Sequence, residues 1–488
     1  MPDYYALLKV PRDASPEDIR SAYFEAARRL HPDRNVEPGD TEFFLGIQAA
    51  YEVLADPVKR AKYDAALPPE EGPLLPIQQK ILYSRQSILR SNEPQLIYML
   101  MECAPLADPA AVSSPPLNLC LILDRSTSMQ GRNMDIVKTT AIQILRRLRP
   151  QDIFSVVAFS DRAEVILPSV RNTELGKLEA RIQMLQNSGG TEIYQGLETG
   201  LRETGRNADK RHVNHIILLT DGRTYGDEKN CLELAQKAAE SGIGISGLGI
   251  GHEWNDAFLD ELAGRTGGSS MYVSRPEDIQ RLLLEKFNHL WHVYAEETNL
   301  QFKPGNGVRL RYAFRLQPEA ALLPLDSPMR LGPIPRDNPL KVLMEFLVQP
   351  EACQEKTAIL LDGKLNIQIS TLPVPPPMVN LQLSRPVTNV SGLEPPPREI
   401  IEAISSLTLY RLQEQARLEV TEGDYASASA HLQRLATHLI AQGKKQLAQT
   451  ALLEAEHIIH HQSFSQEGSK RIKYGTRALL SPGQESTL

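Results

Sequence analysis

Five oxygen-bearing side chains, Asp124, Ser126, Ser128, Thr191 and Asp221, follow apolar or glycine-rich runs in this chain of 488 residues. LNLCLILDRSTS (117–128) breaks from an apolar run into an acid and two serines. NSGGTEIYQGL places Thr191 after a glycine pair and ahead of a helix, and HIILLTDGRT ends an apolar run at Asp221. Carboxylates and hydroxyls without cysteine or histidine are the donor set of hard cations, Mg²⁺ first and Mn²⁺ second. Taken alone, Asp-x-Ser-x-Ser reads as readily as an Asx turn and a helix cap. The second and third loops are what point to a metal. A different chemistry lies at His31-Pro32-Asp33, where proline disfavours helix for the residue before it and leaves an imidazole and a carboxylate in a polar loop. His457, His460 and His461 also have metal-ligand spacing, but no HExxH pattern accompanies them, and a solvated helix end is the better reading.

The elements that must carry these residues follow from periodicity. Between residues 115 and 292, apolar strands alternate with helices: LNLCLIL, a helix from about Met134 to Leu148, DIFSVVAF, a helix around Leu175 to Leu185, HIILLT, a helix near Leu232 to Ala239, and GISGLGIG. This predicts a doubly wound parallel sheet, in which ligands sit beyond the carboxyl ends of the strands. The three oxygen-rich loops then share one edge. In the N-terminal part, Ser15 and Pro16 open a helix with Ile19, Ala22, Tyr23, Ala26 and Leu30 on one face, and a second helix turns Phe44, Ile47, Ala50, Tyr51 and Leu54 toward it. His31-Pro32-Asp33 lies between the two.

The fold class expected is multidomain α and α/β. Residues 1–67 form a helical hairpin domain and 68–76 a linker. Residues 77–114 and 293–372 are β-rich parts, each too small to be stable alone, that together form one sandwich around the inserted domain 115–292. Residues 373–397 read as a proline-rich linker, 398–462 as amphipathic helices similar to tetratricopeptide-like hairpins, and 463–488 as a tail.

Composition bounds the function. The chain is 41% hydrophobic and 23% charged, with a formal net charge of −7, which argues against a protein built to neutralise nucleic-acid phosphates. Four scattered cysteines encode neither a zinc knuckle nor a disulfide framework. No run reaches the ~20 apolar residues of a membrane span and no export segment opens the sequence, so the expectation is a cytoplasmic protein.

DYYALLKVPRDASPEDIRSAY, LHPDRN and AYEVLADPVKRAKYD together resemble the J-domain of DnaJ-type co-chaperones over about 65 residues. The resemblance implies that His31, Pro32 and Asp33, with Arg20, Arg28 and Arg29 on the second helix, dock on a DnaK-type 70-kilodalton heat-shock chaperone and stimulate its ATPase. It departs from the family at Phe24 and Glu25, where a basic pair is usual, which implies weaker electrostatic steering. Residues 115–292 resemble the von Willebrand factor A domain, in whose metal-ion-dependent adhesion site an acidic side chain of a protein ligand often completes the coordination. That implies Asp124, Ser126, Ser128, Thr191 and Asp221 as the Mg²⁺ site. The expected function is a co-chaperone whose A domain selects what is handed over. The alternative is a scaffold with a regulatory J-domain. An enzyme is not expected, because no nucleophile and base pair accompanies the metal residues.

Overall fold

The computed structural model describes residues 4–8, 10, 14–30, 38–57, 59–60, 63, 77–106, 114–171, 175–224, 226–372, 376, 378–390 and 395–480. The chain divides into two compact units, Met1–Leu74 and Leu75–Leu488. His31, Pro32 and Asp33 lie outside the described residues.

The first unit contains α1 (Tyr4–Leu8), α2 (Pro16–Leu30) and α3 (Pro38–Leu54). A capping box opens α2: the Ser15 hydroxyl accepts from the Asp18 amide at 3.1 Å, and the Asp18 carboxylate accepts from the Ser15 amide at 3.1 Å. Ile19, Ile47, Ala50 and Leu54 are buried with Tyr5, Leu8, Ala14 and Tyr63, and Tyr23 stacks on Tyr51 at 4.2 Å between ring centroids. Arg20 is exposed, its guanidinium 5.8 Å from the centre of the Phe24 ring. Arg28 and Arg29 fall in the last turn of α2.

The second unit begins with β1 (Ile77–Tyr83), β2 (Ile88–Leu89) and β3 (Gln95–Pro105). An α/β domain then interrupts the β structure. Its elements are β4 (Leu117–Asp124), α4 (Arg132–Arg147), β5 (Ile153–Phe159), β6 (Ala163–Arg171), α5 (Leu175–Gln183), α6 (Ile193–Gly205), β7 (Val213–Thr220), α7 (Glu228–Glu240), β8 (Ile243–Ile250), α8 (Asp256–Arg265), β9 (Ser270–Val273) and α9 (Pro276–Trp291). The strand order is β6-β5-β4-β7-β8-β9. β5, β4, β7, β8 and β9 are parallel, and β6 closes the edge antiparallel to β5, which the reading of a wholly parallel sheet did not include. The turn from β5 to β6 is too short for the helical crossover that a parallel neighbour requires.

β4 is buried along its whole length and divides its side chains between two layers. Leu117, Leu119, Leu121 and Leu123 pack against α4 and α9, while Cys120 and Ile122 pack with α6 and α7 residues such as Leu197 and Cys231. A central strand covered by helices on both faces reads as such a continuous apolar run.

After α9 come β10 (Val293–Ala295), β11 (Glu297–Pro304), β12 (Val308–Gln317), β13 (Ala321–Leu322), β14 (Met329–Arg330), β15 (Ile334–Pro335), β16 (Leu340–Val348), β17 (Thr357–Gln368) and β18 (Val379–Thr388). The strands before and after the insertion share two sheets, β1-β3-β16-β12-β13 and β14-β11-β17-β18-β2, around one core of Met99, Met101, Leu300, Val342, Phe346 and Leu365. β18 corrects the linker assigned to 373–397. Leu381 and Leu383 face the core, and the strand pairs antiparallel to β17 and parallel to β2.

Four helices end the described chain: α10 (Arg398–Glu422), α11 (Tyr425–Ala441), α12 (Lys445–His461) and α13 (Gln466–Ala478). α10 lies on the β1-β3-β16-β12-β13 sheet, where Ile400, Leu407 and Tyr410 meet Leu100, Phe314 and Leu343, and Arg411 grips the buried Glu345 carboxylate at 2.5 and 3.0 Å. α13 corrects the tail. It is an ordered helix whose Tyr474 enters the core of the inserted domain beside Trp254 and Tyr272.

Gly249 of β8 is required by packing: a Cβ there would lie 1.9 Å from Trp254 Cε2, a side chain wholly buried with its indole N–H on the Gly251 carbonyl. Gly249→Ala is expected to destabilise the second unit by about 1–3 kcal/mol. Urea unfolding followed by tryptophan fluorescence checks this, and an unchanged midpoint would contradict the packing.

Candidate functional site

β4 and β7 are adjacent and parallel, so Asp124 and Asp221 emerge side by side at their carboxyl ends. The peptide turns at once after Asp124, where its carboxylate accepts from the Ser126 amide at 2.9 Å, and a short 3₁₀ turn, Thr127–Met129, follows. Ser126 and Ser128 thereby point to one place, with their hydroxyl oxygens 3.0 Å apart. Both also reach across to Asp221, Ser128 at 2.8 Å and Ser126 at 3.4 Å.

Thr191 arrives from the loop before α6. Its hydroxyl lies against Gly222, where an added Cβ would sit 2.9 Å from Oγ1, and it makes no hydrogen bond among the described residues. That loop is tied down by backbone contacts: Ser188 N–H donates to Arg125 O at 2.9 Å, and Glu192 N–H to Ser160 O at 2.9 Å. Gly189 needs its glycine, with φ at +76° and the Asp161 carboxylate in the space a side chain would fill. The geometry thus brings all five residues onto one edge.

Three positioning residues escaped the sequence reading. Thr220 donates its hydroxyl to the second Asp124 oxygen at 2.7 Å, Asn187 donates to the Ser126 carbonyl at 3.0 Å, and Asp161 accepts from Gly190 N–H at 2.8 Å. Thr220 was adjacent to Asp221 in LLTDG and could have been found. Asn187 and Asp161 act through backbone contacts that no spacing rule reveals.

The electrostatics suit a cation. Asp124 is fully buried, and Lys and Arg are absent from the hydrogen-bond and ion-pair partners of Asp124 and Asp221 among the described residues. Burial raises the Asp124 carboxyl and pushes Asp221 up to about 6, where the Ser128 hydrogen bond opposes the shift and the Asp124 charge adds to it. Two desolvated carboxylates, two converging hydroxyls and a third hydroxyl without a partner form an all-oxygen donor set that fits Mg²⁺ or Mn²⁺. The clustered histidines do other work. His457 Nδ1 lies 2.8 Å from the Ser463 carbonyl, and its ring packs on His461.

Comparison with known proteins matches the von Willebrand factor type A domain to residues 118–286 and the DnaJ domain to residues 3–64. The chain carries a DnaJ domain and a von Willebrand factor type A domain. A third match, the Sll0103-like C-terminal alpha-helical domain, covers residues 398–482. Uncharacterized protein sll0103 of Synechocystis is 28% identical over 336 residues, 66% of this chain and 78% of its own length. Chaperone protein DnaJ of Methanosarcina thermophila is 56% identical over 62 residues, which is 13% of this chain and 16% of that protein, so the likeness is confined to the DnaJ domain. A solved von Willebrand factor type A protein from Catenulispora acidiphila superposes with a TM-score of 0.65 over 82% of this chain and 96% of its own. At 14% identity that likeness concerns the fold, and its coverage extends well beyond the A domain to the surrounding sandwich and helices. Among the described residues no helix is long and apolar enough to cross a membrane.

In metal-free buffer, the raised Asp221 makes stability depend on pH. Its folded pKa of about 6 exceeds the ordinary 3.8, so the folded state holds the proton more tightly, and the associated stability is lost as pH rises from about 4 through about 6. Urea unfolding in EDTA is expected to show this fall, and Asp221→Asn to flatten it; equal slopes would contradict the assignment.

Proposed function

We propose that the protein is a co-chaperone adaptor of the cytoplasm. Its DnaJ domain recruits a DnaK-type 70-kilodalton heat-shock chaperone, and its A domain holds the partner or client through a Mg²⁺-dependent contact. The observation that carries the second half is the buried Asp124 and half-buried Asp221 carboxylates, facing Ser126, Ser128 and a Thr191 hydroxyl that has no hydrogen-bond partner among the described residues. Asp124 would be held through Thr220 and the Ser126 amide, while Ser126, Ser128 and Thr191 would supply direct oxygens. Bound there, Mg²⁺ would offer a positive centre to an acidic side chain of a protein ligand. What supports the first half is the 56% identity of the N-terminal domain to a DnaJ. His31, Pro32 and Asp33 would stimulate ATP hydrolysis by the chaperone, with Arg20, Arg28 and Arg29 on the docking helix.

The protein acts by binding rather than catalysis in this reading. In it Ser126, Ser128, Thr191, Asp124 and Asp221 all serve the cation, and no further nucleophile and base pair is assigned beside them. A second reading, a scaffold in which the DnaJ domain is regulatory, draws on Phe24 and Glu25. Phe24 is 52% exposed on α2, and Glu25 is exposed beside it.

The two halves are tested separately. The protein is expected to stimulate steady-state ATP hydrolysis by a DnaK-type chaperone, and His31→Gln to abolish this; absent stimulation would favour the scaffold, and stimulation that survives the substitution would overturn the role given to His31. Isothermal titration with Mg²⁺ is expected to show one site, lost in Ser126→Ala and Asp221→Ala. Thr220→Val, which removes the hydroxyl held by Asp124 and the Gly222 backbone, should weaken it by roughly 10–100-fold. Binding unchanged in all three variants would sink the metal assignment.

A further inference from the structure

Away from the metal edge, a cavity of about 1020 Å³ opens where the A domain, the sandwich and the C-terminal helices meet. Leu322, Leu323, Pro324, Pro328 and Met329 of the β13–β14 segment form its apolar wall, and α8 and α10 form the others. Its size is at the upper end of small-molecule sites, roughly 300–1,000 Å³, and such sites favour domain junctions.

On α10, Gln413 and Arg417 line this cavity one helical turn apart. Gln413 is 1% exposed, yet its Nε2 has no hydrogen-bond partner among the described residues, and neither has the buried Arg417 Nη1. The neighbouring Arg477 Nε, on the guanidinium that reaches Tyr410 and Asp260, is a third unpartnered donor. Buried donors are normally satisfied, so three at one place amount to a local shortage of acceptors.

The cavity as a whole is not cationic, since Glu240 and Asp326 also line it, but the end beside Gln413 carries a local excess of cations. Arg417, Lys473 and Arg477 are paired with only two acids, Asp256 and Asp260, at 2.5–2.8 Å. Glu261 is paired with Arg265, and the Glu414 carboxyl accepts from the Tyr312 hydroxyl at 3.0 Å. Burial raises Glu414 toward its neutral form, which reduces its repulsion of an anion.

We propose that this cavity binds a small amphipathic carboxylate, toward whose head the Gln413 and Arg417 side chains turn their buried donors, while its apolar chain lies along Leu322, Leu323, Pro324 and Met329. A bidentate carboxylate matches a guanidinium edge beside an amide N–H₂, and an apolar chain matches the wall. Neither the A-domain metal nor the DnaJ domain takes part, so the site stands or falls independently of the function proposed above.

The test uses the full-length protein and dodecanoate, with dodecanol as the uncharged control, by isothermal titration below the micellar range. Dodecanoate is expected to bind saturably at one site and at least about tenfold more tightly than dodecanol. Gln413→Leu and Arg417→Met should each weaken dodecanoate by roughly tenfold. Gln413→Leu separates a ligand role from a structural one. Removing a buried unpartnered amide should leave the fold as stable as before, or more so, and only a binding role predicts lost affinity. Absence of saturable binding, equal affinity for dodecanol, or unchanged affinity in both folded variants would overturn the proposal. So would an acidic, leucine-rich peptide that displaces dodecanoate and binds more tightly.

Discussion

A buried and a half-buried carboxylate at the ends of adjacent parallel strands, with hydroxyls and amides but no basic side chain as partners among the described residues, are the constraint around which the upper edge of the A domain is organised. Asp124 and Asp221 repel each other, and burial, complete at Asp124 and partial at Asp221, reduces the water that would screen them. The chain compensates as far as neutral groups allow: Thr220 and the Ser126 amide on Asp124, Ser128 and Ser126 on Asp221. Hydrogen bonds from neutral donors lower a buried carboxylate's cost without cancelling its charge. The residual unfavourable charge is what a divalent cation would relieve, and it makes the metal reading a consequence of electrostatics rather than of motif alone.

That edge is accurate only because the opposite edge is fixed. The A domain leaves the sandwich after β3 and returns to it through β10, so both connections lie at the strand starts. Arg315 of β12, 2% exposed, donates to the carbonyls of Gly267 and Gly268 at 2.6 Å, and Lys286 of α9 is locked to the buried Glu319 at 2.6 Å. A lone buried charge in either position would be costly, so these contacts hold the domain and sandwich in one arrangement. The far end is reached by α13: Lys470 donates to the His252 carbonyl at 2.7 Å, and Arg223, two residues beyond Asp221, donates to the neighbouring Glu253 carbonyl at 2.9 Å. One loop therefore links the C-terminal helices to the edge that carries Asp124 and Asp221.

What the sequence disclosed followed local rules. The apolar run of β4, the Ser15 cap, the glycine pair before Thr191 and the five oxygen residues were legible because strand, cap and turn each leave a short-range signature. β18 was obscured by the prolines around it, and only the alternation of Leu381 with Leu383 betrayed a half-buried strand. α13 was obscured for a different reason. Its buried face holds Ile472 and Tyr474 but also Lys470, Lys473 and Arg477, and it can be buried because Asp256 and Asp260, more than 200 residues earlier, pair with Lys473 and Arg477 while Lys470 donates to the His252 carbonyl. A polar segment buried by distant partners has no signature of its own.

The same long-range pairing bears on how the second unit holds together. Asp260 is desolvated, which favours its neutral form, but Arg477 and Lys473 more than offset this and keep it well below the usual carboxylate range. Removing α13 would leave Asp256 and Asp260 on α8 without Lys473 and Arg477, and would strip Trp254 of the Tyr474 ring packed against it. An uncompensated buried acid costs more than the lost pairing itself is worth. The C-terminal helices are therefore a structural part of the A domain's surroundings, and a minimal A domain cut at residue 292 would carry an exposed aromatic face and two orphaned carboxylates. The unit that presents the metal edge is the whole of residues 75–488, sandwich and helices included.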